Sequence, residues 1–99
     1  MIPSSATREY LASEILTGVT GMNVSVRDSP HTPYIGVKGI VVKETANTLH
    51  ILRDEKKTII PKVGQEFKVT IGRWEVEIDG KSIQGTPAAR IKKGIRRWR

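Results

Sequence analysis

Glu66-Phe67-Lys68-Val69-Thr70-Ile71-Gly72-Arg73-Trp74-Glu75-Val76-Glu77-Ile78-Asp79-Gly80 is the stretch of sequence that decides the fold. Phe67, Val69 and Ile71 alternate with Glu66, Lys68 and Thr70. After Gly72-Arg73 the alternation resumes, with Trp74, Val76 and Ile78 set against Glu75 and Glu77. Successive side chains of a strand point to opposite faces, so this period of two predicts two half-buried strands. The short glycine-containing break between them predicts a hairpin. Asp79-Gly80 reads as a further hairpin turn.

The same pattern extends towards the N-terminus. Met22, Val24 and Val26 alternate with Asn23, Ser25 and Arg27 and predict another half-buried strand. Asp28 to Tyr34 contains Pro30 and Pro33 and reads as a loop. Val37 to Glu44 is rich in branched residues and predicts a strand, and Gly39 inside it suits a sharp bend or bulge. Thr45 to Asn47 makes a tight turn, Leu49 to Leu52 a strand, Asp54 to Lys56 a polar turn, and Thr58 to Ile60 a strand stopped by Pro61. Five to six short strands at this spacing predict a mainly β chain folded as a small antiparallel barrel.

Helical signals flank this region. Ser4 or Ser5 can cap a short helix ending before Gly18, with Ala6, Tyr10, Leu11 and Ile15 close together on one side. A helix this short is marginal alone and needs a surface to lie on, either its own barrel or a partner. At the other end Thr86 is a good N-cap, Pro87 fits the first helical position, and Ile91, Ile95 and Trp98 form an apolar stripe. Residues 1–18 are therefore expected as an N-terminal helical extension, 19–85 as the barrel and 86–99 as a basic C-terminal helix, in one domain overall.

Charge is distributed unevenly. The 99 residues carry a net +7. Arg90, Lys92, Lys93, Arg96, Arg97 and Arg99 are six bases within the last ten residues, with no acid among them. The preceding 89 residues hold 11 bases and 10 acids and are nearly neutral. A nearly neutral globule with a basic tail points to a polyanion, most simply nucleic acid, because lysine and arginine neutralise phosphates and release counterions. The opposing interpretation of the tail is a solubilising helix face. Lys38, Lys43, Arg53, Lys56 and Lys57 can extend a basic surface onto the strands, although Glu44, Asp54 and Glu55 lie among them.

Other chemistries find little support. Cysteine is absent, which excludes disulfides and thiolate metal sites. No apolar run approaches the roughly 20 residues of a membrane span, and no secretory signal is legible, so a cytoplasmic location is expected. His31 and His50 could in principle act as an acid–base pair, but nothing in their local sequence couples them. Asp28, Asp54 and Asp79 sit at loop ends, where aspartate commonly serves the turn, and show no metal-ligand spacing. Trp74 and Trp98 are candidates for stacking on bases, against core or helix-docking roles.

Tyr34-Ile35-Gly36-Val37-Lys38-Gly39-Ile40-Val41-Val42, Glu44-Thr45, Asn47-Thr48-Leu49, Ile60-Pro61-Lys62, Phe67, Ile78-Asp79-Gly80, Gly85-Thr86-Pro87 and Arg90-Ile91-Lys92-Lys93 resemble, in order and spacing, archaeal ribonuclease P protein component 1. That family includes the archaeal counterparts of a eukaryotic ribonuclease P/MRP protein. One departure is that Ala88 and Ala89 follow Pro87 where the family often has acidic residues. The resemblance implies an Sm-like (SH3-like), strongly bent barrel with helical termini. It also implies a non-catalytic, RNA-binding subunit of the ribonucleoprotein that removes the 5′ leader from precursor tRNA. The expected partners are ribonuclease P RNA, a zinc-ribbon ribonuclease P protein, other ribonuclease P proteins and, in the holoenzyme, precursor tRNA, with no membrane partner. No cofactor is expected on the protein, because the family's catalytic metal ions are held by the RNA. Tyr10, Leu11 and Ile15 on the N-terminal helix, or Val37 and Val41 on an apolar strand edge, are the expected protein-docking residues; a buried central strand is the competing expectation for Val37 to Val42. Rival functions are a ribosomal or translation-associated small-barrel protein, an autonomous nuclease, and a protein-binding adaptor.

Overall fold

The structure of the chain is a computed structural model and describes residues 3–87. It contains one α-helix, α1 (Ser5–Leu16), and six strands: β1 (Asn23–Asp28), β2 (Lys38–Glu44), β3 (Thr48–Arg53), β4 (Lys56–Pro61), β5 (Glu66–Ile71) and β6 (Trp74–Asp79). Short 3-10 turns cover Thr32–Tyr34 and Gly80–Ile83. The C-terminal helix expected over 86–99, its six bases and Trp98 lie outside the described residues or reach only their edge.

All six strands form one antiparallel sheet in the order β4-β3-β2-β1-β5-β6. The bend of this sheet originates in β2. Its first half, Lys38 to Ile40, pairs with Ser25 to Asn23 of β1, and its second half, Ile40 to Glu44, pairs with Leu52 to Leu49 of β3. Gly39 stands where the strand changes partner. A Cβ there would run into the carbonyl of Leu52, so only glycine lets the two backbones approach this closely. The register also slips between Val41 and Lys43, a bulge that adds local twist. A second irregularity lies between Val26 and Asp28.

The sheet closes through its ends. Asp79-Gly80 does not form the expected hairpin turn. Asp79 instead caps a 3-10 turn, its carboxylate accepting from the Lys81 N–H at 2.9 Å. Gly80 lies so close to the Lys62 carbonyl that a side chain at position 80 would collide with it. The chain leaving edge strand β6 thereby meets the chain leaving edge strand β4, and the bent sheet becomes a small Sm-like barrel. The core inside it includes Val24, Val26, Val41, Leu49, Ile51, Ile60, Phe67, Val69 and Ile78, the inward members of the period-two pattern, and Ile83 from the 3-10 turn after β6.

Of the two serines that can cap α1, the first is used. Ser4 is the N-cap, its hydroxyl accepting from the Thr7 N–H at 3.2 Å. The docking expectation for its apolar side is corrected, however. Ile15 is 0% and Leu11 5% exposed, and Ile15 joins the barrel core, so neither side chain is open to another chain. A marginal helix gains its stability from tertiary packing, and here its own barrel supplies that packing. Tyr10 alone of the three is exposed. The expectation of an apolar edge at Val37 to Val42 is likewise corrected. β2 is an inner strand, Val41 is 0% exposed, and Val37 packs partly buried against the core.

Candidate nucleic-acid interface

The inward side of the strands is taken up by the core, so the alternate residues form an outer face on which charge and hydrogen-bonding groups gather. The structure separates the barrel bases expected from sequence into two neighbouring groups on this face. Lys43 stands opposite His50 across the β2–β3 pair, and Lys57 stands opposite Leu52 across the β3–β4 pair. His50 is half-buried between them, and its Nδ1 is buried without a hydrogen-bond partner. Loss of solvent first, and then the positive fields of Lys57 and Lys43, lower the pKa of His50 below its ordinary value. The imidazole therefore favours its neutral form more than a free histidine does, and Lys43 and Lys57 are exposed beside it.

The second group comprises Lys38 and Arg53, which line a groove across β1, β2 and β5 together with Lys68. Lys68 is a polar residue of β5 that nothing in the sequence singles out as part of a basic surface. Its ammonium lies 2.8 Å from Glu75, whose carboxyl it holds below the usual carboxylate range. Arg53 leads into a tight turn in which Asp54 and Glu55 take left-handed backbone angles, and its guanidinium lies 3.6 Å from the Asp54 carboxylate. Lys56 faces Arg53 across that turn and is exposed. Among the described residues Lys38 makes no ion pair.

Exposed apolar side chains accompany these bases. Ile40, Val42, Leu52 and Ile59 are 38–49% exposed, with Ile40 opposite Leu52 and Ile59 opposite His50. This mixed basic and apolar face was not legible in the sequence, because the short β2–β4 segments contain apolar residues at both parities.

Not every base is on the surface. Lys62 is 0% exposed and belongs to the interior with Glu44. Trp74 is half-buried at the start of edge strand β6, with the Arg73 guanidinium 5.5 Å from its ring centroid. His31 lies before the Thr32–Tyr34 turn and packs edge-on to Tyr34 at 4.3 Å, whereas His50 lies within β3. Among the described residues no three His, Cys, Asp or Glu side chains are grouped to hold a metal ion, and no helix is long and apolar enough to cross a membrane. The chain continues into the basic tail from a defined place. Gly85 donates its N–H to the Ala46 carbonyl at 2.8 Å, and Pro87 lies against Gly18 at the end of the N-terminal segment.

Comparison with known proteins identifies the family. The sequence pattern of the family described as "Ribonuclease P/MRP, subunit p29" matches residues 15–93. The ribonuclease P protein component 1 of Methanosphaera stadtmanae is 43% identical over 74 residues, covering 74% of this chain and 80% of that protein. That of Archaeoglobus fulgidus is 37% identical over 75 residues, covering 76% and 74%. Among solved structures, Mth11, described as a homologue of the human ribonuclease P protein Rpp29, superposes with a TM-score of 0.54 at 33% identity, covering 73% of this chain and 95% of its own. A match that runs from the end of α1 through all six strands to Lys93 leaves no doubt of kinship: the chain belongs to the p29 family of ribonuclease P/MRP subunits.

Proposed function

We propose that the chain is an RNA-binding protein subunit of ribonuclease P, supporting a catalytic RNA in the removal of the 5′ leader from precursor tRNA. Its membership of the p29 family carries this conclusion. The concentration of six bases in residues 90–99, joined to a barrel whose outer face exposes Lys38, Lys43, Arg53, Lys56 and Lys57, supports RNA as the ligand. The protein holds and orients RNA, the metal ions of the holoenzyme sit on the RNA subunit, and the site of action is the cytoplasm. A zinc-ribbon ribonuclease P protein is its partner among the protein subunits. Tyr10, Val42 and Ile59 are exposed apolar side chains suited to that contact, since their burial in a complex removes apolar area from water.

Sequencing the RNA that copurifies with the intact chain tests the assignment. Ribonuclease P RNA is the expected species, and ribosomal RNA in its place overturns it. Incubation with precursor tRNA tests the division of labour. Leader removal is expected only when the RNA subunit is added, and specific cleavage by the RNA-free protein overturns the supporting role.

A further inference from the structure

The groove on the outer face of β1, β2 and β5 has an order that single residues do not reveal. Its volume is about 560 Å³, within the range of about 300–1,000 Å³ typical of small-molecule sites. The strand register lays two rows of side chains across it. In one row Asn23 stands between Ile40 of β2 and Thr70 of β5. In the other Ser25 stands between Lys38 of β2 and Lys68 of β5. Asn23 and Ser25 are two apart on β1, so both rows share a face.

The rows differ in chemistry. Ile40, backed by its cross-strand neighbour Leu52, offers an apolar surface, and Asn23 and Thr70 offer an amide and a hydroxyl beside it. Those groups suit a flat heterocycle with a hydrogen-bonding edge. Lys38-Ser25-Lys68 offers two ammonium groups about a hydroxyl, which suits a phosphate. The rows also have a direction. On β6 the next residues are Glu75 opposite Thr70 and Glu77 opposite Lys68, so acids bound the groove on that side and Lys68 is already engaged by Glu75. Asp54 and Glu55 line the groove at its β3–β4 end, where Asp54 lies 3.6 Å from Arg53. Of the three groove cations Lys38 is the one with no ion-pair partner among the described residues, so an anion is directed to it.

Resting on the RNA-binding function proposed above, we propose that this groove holds one unpaired nucleotide of the RNA. Its base lies on Ile40 and Leu52 with its edge at Asn23 and Thr70, and its phosphate lies at Lys38 and Ser25. Unpaired nucleotides are the natural ligand of such a site, because a base inside a paired A-form helix presents neither its face nor its Watson–Crick edge.

The test uses the full chain, labelled with ¹⁵N, and two probes: oligouridylate and a fully paired, blunt-ended RNA duplex. Oligouridylate is expected to shift the amides of Asn23, Ser25, Gly39 and Thr70, and the duplex to leave them in place. Asn23→Ala and the near-isosteric Thr70→Val should each weaken oligouridylate binding by about five- to tenfold, the loss of one hydrogen bond. Lys38→Gln should lower the log–log salt slope by about 0.7, one phosphate contact on a single strand. Asn23 and Lys38 are exposed, so these variants keep the barrel, which the unchanged amide spectrum of the free proteins checks. If ribonuclease P RNA binds but oligouridylate shifts no groove amide and Asn23→Ala changes nothing, the groove inference fails and the RNA-binding function stands. If neither oligouridylate nor ribonuclease P RNA binds, both fail. If the groove amides respond to a ribonuclease P protein subunit and not to RNA, the groove belongs to a peptide and the inference is overturned.

Discussion

The Lys62 ammonium lies 2.8 Å from a carboxylate oxygen of Glu44, and the two side chains are 0% and 1% exposed. The pair joins five parts of the chain. Lys62 also donates to the carbonyls of Thr45 at 2.7 Å and Gly85 at 3.0 Å, and the other Glu44 oxygen accepts from the Val19 N–H at 2.9 Å. The end of β2, the turn after it, the chain beyond β4 and the approaches to both terminal segments meet at one buried charge pair. Replacing one partner of such a pair costs far more than the pair itself contributes, because the remaining charge stays in the interior. Lys62→Met should destabilise the fold by about 3–5 kcal/mol, and Glu44→Gln combined with Lys62→Met should recover part of that loss. Urea unfolding of the two variants beside the parent checks the ordering.

Leu11 and Tyr10 are neighbours in sequence with opposite environments, 5% and 55% exposed. Leu11→Asp places a carboxylate where α1 meets the barrel and should destabilise the protein, whereas Tyr10→Asp should change stability by about 0.5 kcal/mol or less. Leu11→Ala gives a milder version, about 2–5 kcal/mol. Thermal unfolding decides the matter: a Leu11→Asp protein as stable as the parent would mean that the helix does not pack on its own barrel.

The state of His50 makes stability depend on pH. Its pKa in the folded protein is lowered from the ordinary 6.5 by burial, Lys57 and Lys43. In acid the unfolded chain therefore takes up a proton that the folded chain resists. Stability is full above pH 6.5 and falls as pH drops through that value towards the lower folded pKa. Denaturant midpoints measured on both sides of 6.5 should show this decline, and His50→Gln should flatten it. Lys57→Gln should flatten it partly, since burial, the first cause, remains.

The six tail bases are testable by charge without removing the segment. Changing Arg90, Lys92, Lys93, Arg96, Arg97 and Arg99 to glutamine takes six of the seven net charges of the chain. If about four to six of these contact phosphates, the log–log salt slope of RNA binding should shrink by roughly 3–5, at about 0.7–0.9 per contact. Arg96→Gln with Arg97→Gln should produce a smaller shift in the same direction. Filter binding across a salt series reads the slope, and an unchanged value assigns RNA retention to the barrel face.

The alternation of Phe67, Val69, Trp74, Val76 and Ile78, the bend at Gly39 and the cap at Ser4 were legible in the sequence because each is a local effect. A side chain two residues away shares a face, a missing Cβ permits an approach, and a hydroxyl reaches an N–H three residues on. Basic charge was legible for the same reason, since it is a sum over residue types. Only the tertiary structure decided which apolar side chains were left for a partner. Leu11, Ile15 and Val41 have the residue types of a docking surface, yet β2 is paired on both sides, Leu11 is buried and Ile15 joins the barrel core. Nor could sequence place Lys62 beside Glu44, eighteen residues away, or align Lys38, Ser25 and Lys68 in one row. Those relationships depend on register between strands, and register follows from how the whole sheet buries its inner face.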